Sequence, residues 1–162
     1  MAFTIKRDGY GQVEDNHLSA KRSGHVYAQL PAAEGIDVLE NGQFVKYDYA
    51  AGVCNFDGNG PWYMVYNEEK LYDERQQMHK HFALKREDFY DKQLVPRVVA
   101  VELGDLWTTN MVAEGDYTVG QKLAPNAQGV LEASGDGFIQ VVKCYQLPDG
   151  QNAVKLQVIA NQ

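Results

Sequence analysis

Three groups of residues in this chain have side chains that could do chemistry, and each lacks part of the spacing a working site needs. Glu102 and Asp105 flank Gly104, close to Trp107. Two carboxylates beside an aromatic are the pattern of a glycosidase, which sets acids around a sugar ring. Across a turn, however, this spacing sends the two side chains apart into solvent, so the pair reads first as turn acids ending a strand. His79 and His81 would share one side of an extended segment, and with Glu74 they make a partial set suited to zinc or nickel. No cysteine and no HExxH helix completes the set, so solvated histidines and no bound metal are expected. Asp57-Gly58-Asn59-Gly60 opens like a calcium loop with Glu68 at the twelfth place. Pro61 and Trp62 fill the fifth and sixth places, and the sharp turn needs glycine at the sixth. That stretch reads as a surface turn.

Cys54 and Cys144 stand 90 positions apart, each beside a strand-like run, with no metal knuckle or CxxC nearby. Buried, reduced thiols are the expectation, with one disulfide between them as the alternative. The chain has no GxSxG, no P-loop, no GxGxxG opening a helix, and no cysteine with an obvious histidine partner. Catalytic residues, cofactor and metal are therefore all expected to be absent, and the protein is read as not an enzyme.

Aromatic residues are the other resource. Of ten tyrosines and two tryptophans, Tyr47, Tyr49, Trp62, Tyr63, Tyr66, Tyr72 and Tyr90 crowd the middle of the chain. Such side chains fill cores, anchor interfaces or stack on sugars. An exposed row of Trp62, Tyr63 and Trp107 would be the platform of a carbohydrate-binding module. That is the alternative function, with a small glycoside hydrolase using Glu102 and Asp105 behind it.

The elements that must position these residues read as strands. The 162 residues, 44% of them apolar, suit one domain with a real core. Net charge −7 argues against nonspecific nucleic-acid binding and fits docking on a basic protein surface. No apolar run approaches the ~18 residues of a bilayer span. The start, MAFTIKRDGYGQ, lacks the apolar core of a signal peptide, so synthesis in the cytoplasm and no membrane partner are expected.

Residues 119–159 alternate short apolar runs with Pro125-Asn126, Asp136-Gly137 and Asp149-Gly150, and Asp-Gly is a strong hairpin signal. Val154 to Ile159 carries the period of a strand with one buried face. Further strands are expected at 25–30, at 36–39 and 43–47 around an Asn41-Gly42 turn, at 62–66, and at 94–101 as a central strand. Residues 67–90 read as an insertion, with Leu71, Met78 and Phe82 as the apolar stripe of a short helix. The fold class is mainly β, a small antiparallel sandwich or barrel.

Residues 1–25 read differently. Lys6, Arg7, Lys21 and Arg22 against Asp8, Glu14 and Asp15 give +1 and leave −8 on the rest. Few large apolar residues occur there, so the stretch is expected to be a flexible N-terminal arm before a single domain at 26–162. Partner contacts are expected from Phe3, Ile5, Lys6, Arg7, Lys21 and Arg22 on this arm, and from Trp62, Tyr63 and Trp107.

Three stretches together carry a family resemblance. They are Pro96-Arg97-Val98 running into Val101-Glu102-Leu103-Gly104-Asp105 and Thr108-Thr109-Asn110, then Val119-Gly120-Gln121-Lys122-Leu123, then Gly129-Val130-Leu131 with the closing hairpin. This is similar to virion structural proteins of tailed bacteriophages, of the capsid decoration (cement) or head-associated type, over residues 94–159. The resemblance implies a β-rich, non-enzymatic protein bound in many copies to the outside of the capsid. Its partners would be the major capsid protein and neighbouring copies of itself.

Overall fold

Short β-branched and aromatic runs, many of them closed by a glycine-bearing turn, commit this chain to strands rather than helices. The computed structural model describes residues 3–67 and 79–162. Strand makes up 40% and helix 8%, so the fold is mainly β, antiparallel and sandwich-like, as expected.

In chain order the first elements are β1 (Phe3–Ile5), β2 (Val13–His17), α1 (Ala20–Ser23), β3 (Val26–Tyr27), β4 (Val38–Leu39) and β5 (Phe44–Asp48). Then come β6 (Val53–Asn55), β7 (Trp62–Val65), a 3-10 turn at His79–His81, β8 (Leu84–Lys85), α2 (Arg86–Tyr90) and β9 (Val98–Val99). The last third is all strand: β10 (Leu106–Thr109), β11 (Gly115–Tyr117), β12 (Lys122–Pro125), β13 (Leu131–Ala133), β14 (Ile139–Gln146) and β15 (Asn152–Val158). A six-stranded sheet runs β13-β12-β14-β15-β10-β2 and a five-stranded sheet β3-β9-β7-β5-β6. The pairs β1-β11 and β4-β8 flank them.

Period-two burial is clean along β15 of the six-stranded sheet from Val154 onward. Val154, Leu156 and Val158 are buried, and Lys155 and Gln157 between them are half-exposed. Its inner face, with Trp107, Leu123, Ile139 and Val141, forms the main core with Phe44, Met64 and Val99 of the five-stranded sheet. The five-stranded sheet is buried on both faces. Neighbouring residues Val45, Val65 and Val98 belong to a second core, closed by Leu39, Ile36 and Phe89. That is why these strands read Phe-Val, Met-Val and Val-Val without alternation.

The two sheets are pinned where the turn after β12 meets the start of β5. Phe44 N–H donates to Gly129 O at 2.7 Å. Gly129 has φ +73, and a methyl group there would lie 1.9 Å from Phe44 O.

The expected N-terminal arm is corrected. β1 pairs with β11, β2 is an edge strand beside β10, and Ile5, Leu18 and Ala20 are buried in the main core. The apolar residues here are few, but they sit at inward positions, and side chains elsewhere hold the backbone between them. Asn152 Nδ2 donates to Thr4 O at 2.8 Å, while Gln151 accepts from Asp8 N–H at 3.0 Å and donates to Asp8 O at 3.0 Å. A boundary at residue 25 therefore falls inside one body.

Smaller differences have local causes. The expected strand at 94–101 pairs only at Val98–Val99, interior between β3 and β7. Asp149-Gly150 does turn β14 into β15, but Asn41-Gly42 joins no hairpin, because β4 pairs with β8. Asp136-Gly137 joins strands that β12 separates, and Gly137 crosses so close to Leu123 that a methyl group would lie 2.2 Å from its carbonyl oxygen. Of the expected insertion at 67–90, the stripe on Leu71 and Met78 lies outside the described residues.

Candidate functional site

Asp105 immediately precedes β10, and its carboxylate turns back into the protein, fully buried. One oxygen accepts from the Ser19 N–H at 3.1 Å and from the Ser19 hydroxyl at 2.6 Å. The other accepts from the Glu102 N–H at 2.9 Å. These bonds tie the start of α1 to the turn that launches β10, which compensates the burial of a charge. Glu102 is exposed and lies 2.9 Å from His25 Nδ1. The two acids thus do not face each other across a cleft. Trp107 is in the main core, its ring centroid 6.2 Å from that of Phe44, and its Nε1–H has no hydrogen-bond partner.

The other chemical groups also stay apart. His79 and His81 are exposed on the 3-10 turn, and Glu74 lies outside the described residues. Among the described residues no group of three or more His, Cys, Asp or Glu side chains could hold a metal ion. Asp57 is exposed, and the adjoining turn closes by Gly58 N–H donating to Asn55 Oδ1 at 2.8 Å; Glu68 is outside the described residues. Cys54 and Cys144 are both free thiols. Burial pushes Cys54 up to about 11, which keeps it protonated and unreactive at neutral pH.

The expected aromatic platform is corrected as well. Trp62 and Tyr63 are neighbours in β7 and so point to opposite faces: Trp62 packs on the main core, Tyr63 on the second. Trp107 is buried and cannot complete a surface row. Trp62 instead carries the Lys46 ammonium 4.6 Å above its ring, from the directly paired position on β5. Tyr63 joins a tyrosine cluster that the sequence reading did not assemble. Its ring lies 5.6 Å from Tyr27 and 5.2 Å from Tyr47, and Tyr49 stands edge-on to Tyr47 at 5.9 Å, 71% exposed. Burial raises the Tyr47 and Tyr63 hydroxyls above their ordinary pKa.

The remaining expected contact residues divide by exposure. Ile5, like Trp107, is buried and unable to touch a partner from the folded chain; Phe3 is half-buried against the main core. Lys6 and Arg22 are exposed. Arg7 is held internally, with Nη1 at 2.8 Å from Glu40 and 3.0 Å from Met111 Sδ. Lys21 pairs with Asp15 at 2.5 Å and covers the Tyr66 ring at 5.4 Å.

A polar network around Asp149 was not legible in the sequence. Asp149 accepts from Gln12 Nε2 at 3.0 Å and from Gln151 Nε2 at 2.8 Å, while Asn110 accepts from Gln12 N–H at 2.8 Å and donates to Gln151 at 3.0 Å. Burial pushes the Asp149 carboxyl up, but these bonds and the Lys80 charge outweigh it and hold the group below the usual carboxylate range. The network locks the N-terminal segment onto the β14–β15 turn. Its polar groups are used by the fold.

Comparison with protein-family models, with curated proteins and with solved structures finds no match to the chain. No helix among the described residues is long and apolar enough to cross a membrane.

Proposed function

We propose that this is a non-enzymatic virion structural protein that binds the outer surface of a tailed-bacteriophage capsid and stabilises or decorates it. The reading rests on the sequence resemblance over residues 94–159 and on one structural observation. The two candidate catalytic acids are used by the fold: the Asp105 carboxylate by three internal donors and Glu102 by His25. Side chains free to meet a partner include apolar ones at the surface, with Tyr49 at 71%, Val119 at 64% and Leu103 at 60% exposure. Rigid β domains with such anchors suit many-copy docking on a protein lattice. The major capsid protein is the partner, and the virion exterior the location, that this reading assigns.

Gradient-purified virions from the lysate that makes the protein test it by quantitative mass spectrometry. A copy number in fixed proportion to the major capsid protein, with removal leaving the shell easier to rupture, is the expected result. Absence from intact particles overturns the reading.

A further inference from the structure

The outer face of the six-stranded sheet carries charges that form no ion pair among the described residues, although Lys143 lies 5.4 Å over the Tyr145 ring and the Thr108 hydroxyl donates to Asn16 at 2.8 Å. Lys143 on β14 is directly paired with Lys155 on β15, Lys155 with Thr108 on β10, and Thr108 with Glu14 on β2. Directly paired residues present their side chains on one face, so this is a single row across four adjacent strands. Like charges placed opposite each other destabilise a strand pair, yet Lys143 and Lys155 are so placed in a chain of net charge −7. Among the described residues neither has a carboxylate within salt-bridge distance, and Glu14 has no cation partner. By contrast Arg7, Lys21, Lys80, Arg86 and Lys92 are all paired with acids.

The row is positive at one end and negative at the other. At about 4.8 Å per strand, Lys143 and Glu14 stand roughly 14 Å apart along it. A two-fold axis parallel to the strands, passing between Lys155 and Thr108 in the plane of contact, lays Lys143 of each copy over Glu14 of the other. It also sets each Lys155 above the position of Thr108, which is buried and bonded to Asn16, so no second positive charge faces it. Such a face is complementary to itself, as an isologous interface requires. We infer that the outer face of the six-stranded sheet is a self-association surface whose occupant is a second copy of this chain, with Lys143–Glu14 contacts made twice. The inference does not depend on the capsid reading, and it is tested on the purified protein alone.

Sedimentation velocity of the full chain, across a concentration series and at low and high salt, should show a dimer that dissociates as salt rises. Lys143→Glu and Glu14→Lys each set like charges against each other twice and should weaken the dimer about tenfold or more. The double variant, K143E with E14K, restores opposite charges and should restore the dimer. Unchanged thermal melts of the monomer show that the substitutions act at the contact. A wild-type chain that stays monomeric throughout the series overturns the inference. So does a dimer indifferent to the single swaps, or one lost in the singles and not recovered in the double. An acidic partner of another kind would give the monomer result and binding sensitive to K143E alone.

Discussion

The Asp105 carboxylate accepts hydrogen bonds from both the backbone N–H and the hydroxyl of Ser19, 86 positions earlier in the chain. With the Glu102 N–H on its other oxygen, one buried charge organises two turns far apart in sequence. Replacing it should therefore strand donors rather than simply delete a bond. Asp105→Ala is expected to cost about 3 kcal/mol or more, since each orphaned buried donor costs roughly 1–3 kcal/mol. Ser19→Ala removes only the hydroxyl and should cost less than half of that. Urea unfolding of the two variants gives the comparison. Equal losses would mean that the carboxylate is not the organising group.

The contact between the sheets makes a sharper demand at Gly129. Its positive φ alone would cost a side chain about 1–2 kcal/mol, and Gly150 with φ +87 carries the same backbone demand in open space. Of these two glycines, Gly129 is the one whose added methyl would strike a carbonyl, that of Phe44. Gly129→Ala is thus expected to lower the melting temperature well beyond Gly150→Ala, by a further ~1–3 kcal/mol of overpacking. A pair of melts in the same buffer decides it. Similar losses in both would leave the close approach without energetic weight.

What could be read from the sequence follows from where the information is local. Val154 to Val158 and the Asp149-Gly150 turn were legible because one buried face and a two-residue signal lie within a few positions. Asn41-Gly42 misled because the same signal also serves a chain that leaves its sheet: Gly42 has φ +92 and lies against Met111 and Thr109. The five-stranded sheet was harder, since burial on both faces erases the period that marks a strand. Residues 1–25 were misjudged for another reason. Their strands hold through partners more than a hundred positions away, such as Thr4 with Asp116 and Asp8 with Gln151. At the candidate site, the spacing of Glu102 and Asp105 placed both acids at a turn. The expectation that both side chains enter solvent fails for Asp105, which is buried, and no local rule could show that Ser19 would satisfy it.

The N-terminal segment gives a direct test of that correction. Ile5 is 1% exposed in the main core, in the three-residue strand that pairs with β11. A loose arm would tolerate any residue there. A core position loses about 2–5 kcal/mol on truncation of isoleucine to alanine. Ile5→Ala should therefore move the denaturation midpoint substantially, whereas Lys6→Ala, at the exposed next position, should move it little. Indistinguishable midpoints for wild type and Ile5→Ala would restore the arm.

Acid stability should report the network that holds this same segment. Asp149 is pushed up by burial, but the bonds from Gln12 and Gln151 and the Lys80 charge prevail, so its folded pKa lies below the unfolded value. A depressed carboxyl contributes stability that is complete above the ordinary carboxylate pKa of about 4 and is lost as pH falls through the folded value. Asp88 behaves in the same sense, lowered first by the Lys85 backbone N–H at 2.9 Å and then by Lys92. Asp149→Asn keeps the shape and one acceptor while removing the titration. It should lower stability at pH 7 by about 1 kcal/mol and flatten the decline below pH ~4 without abolishing it, because Asp88 still titrates. Chemical unfolding measured at steps of pH from neutrality downward reads both effects. If the variant and the wild type lose stability in parallel as the solution is acidified, Asp149 does not carry the charge-assisted bonds that fix the N-terminal segment to the β14–β15 turn.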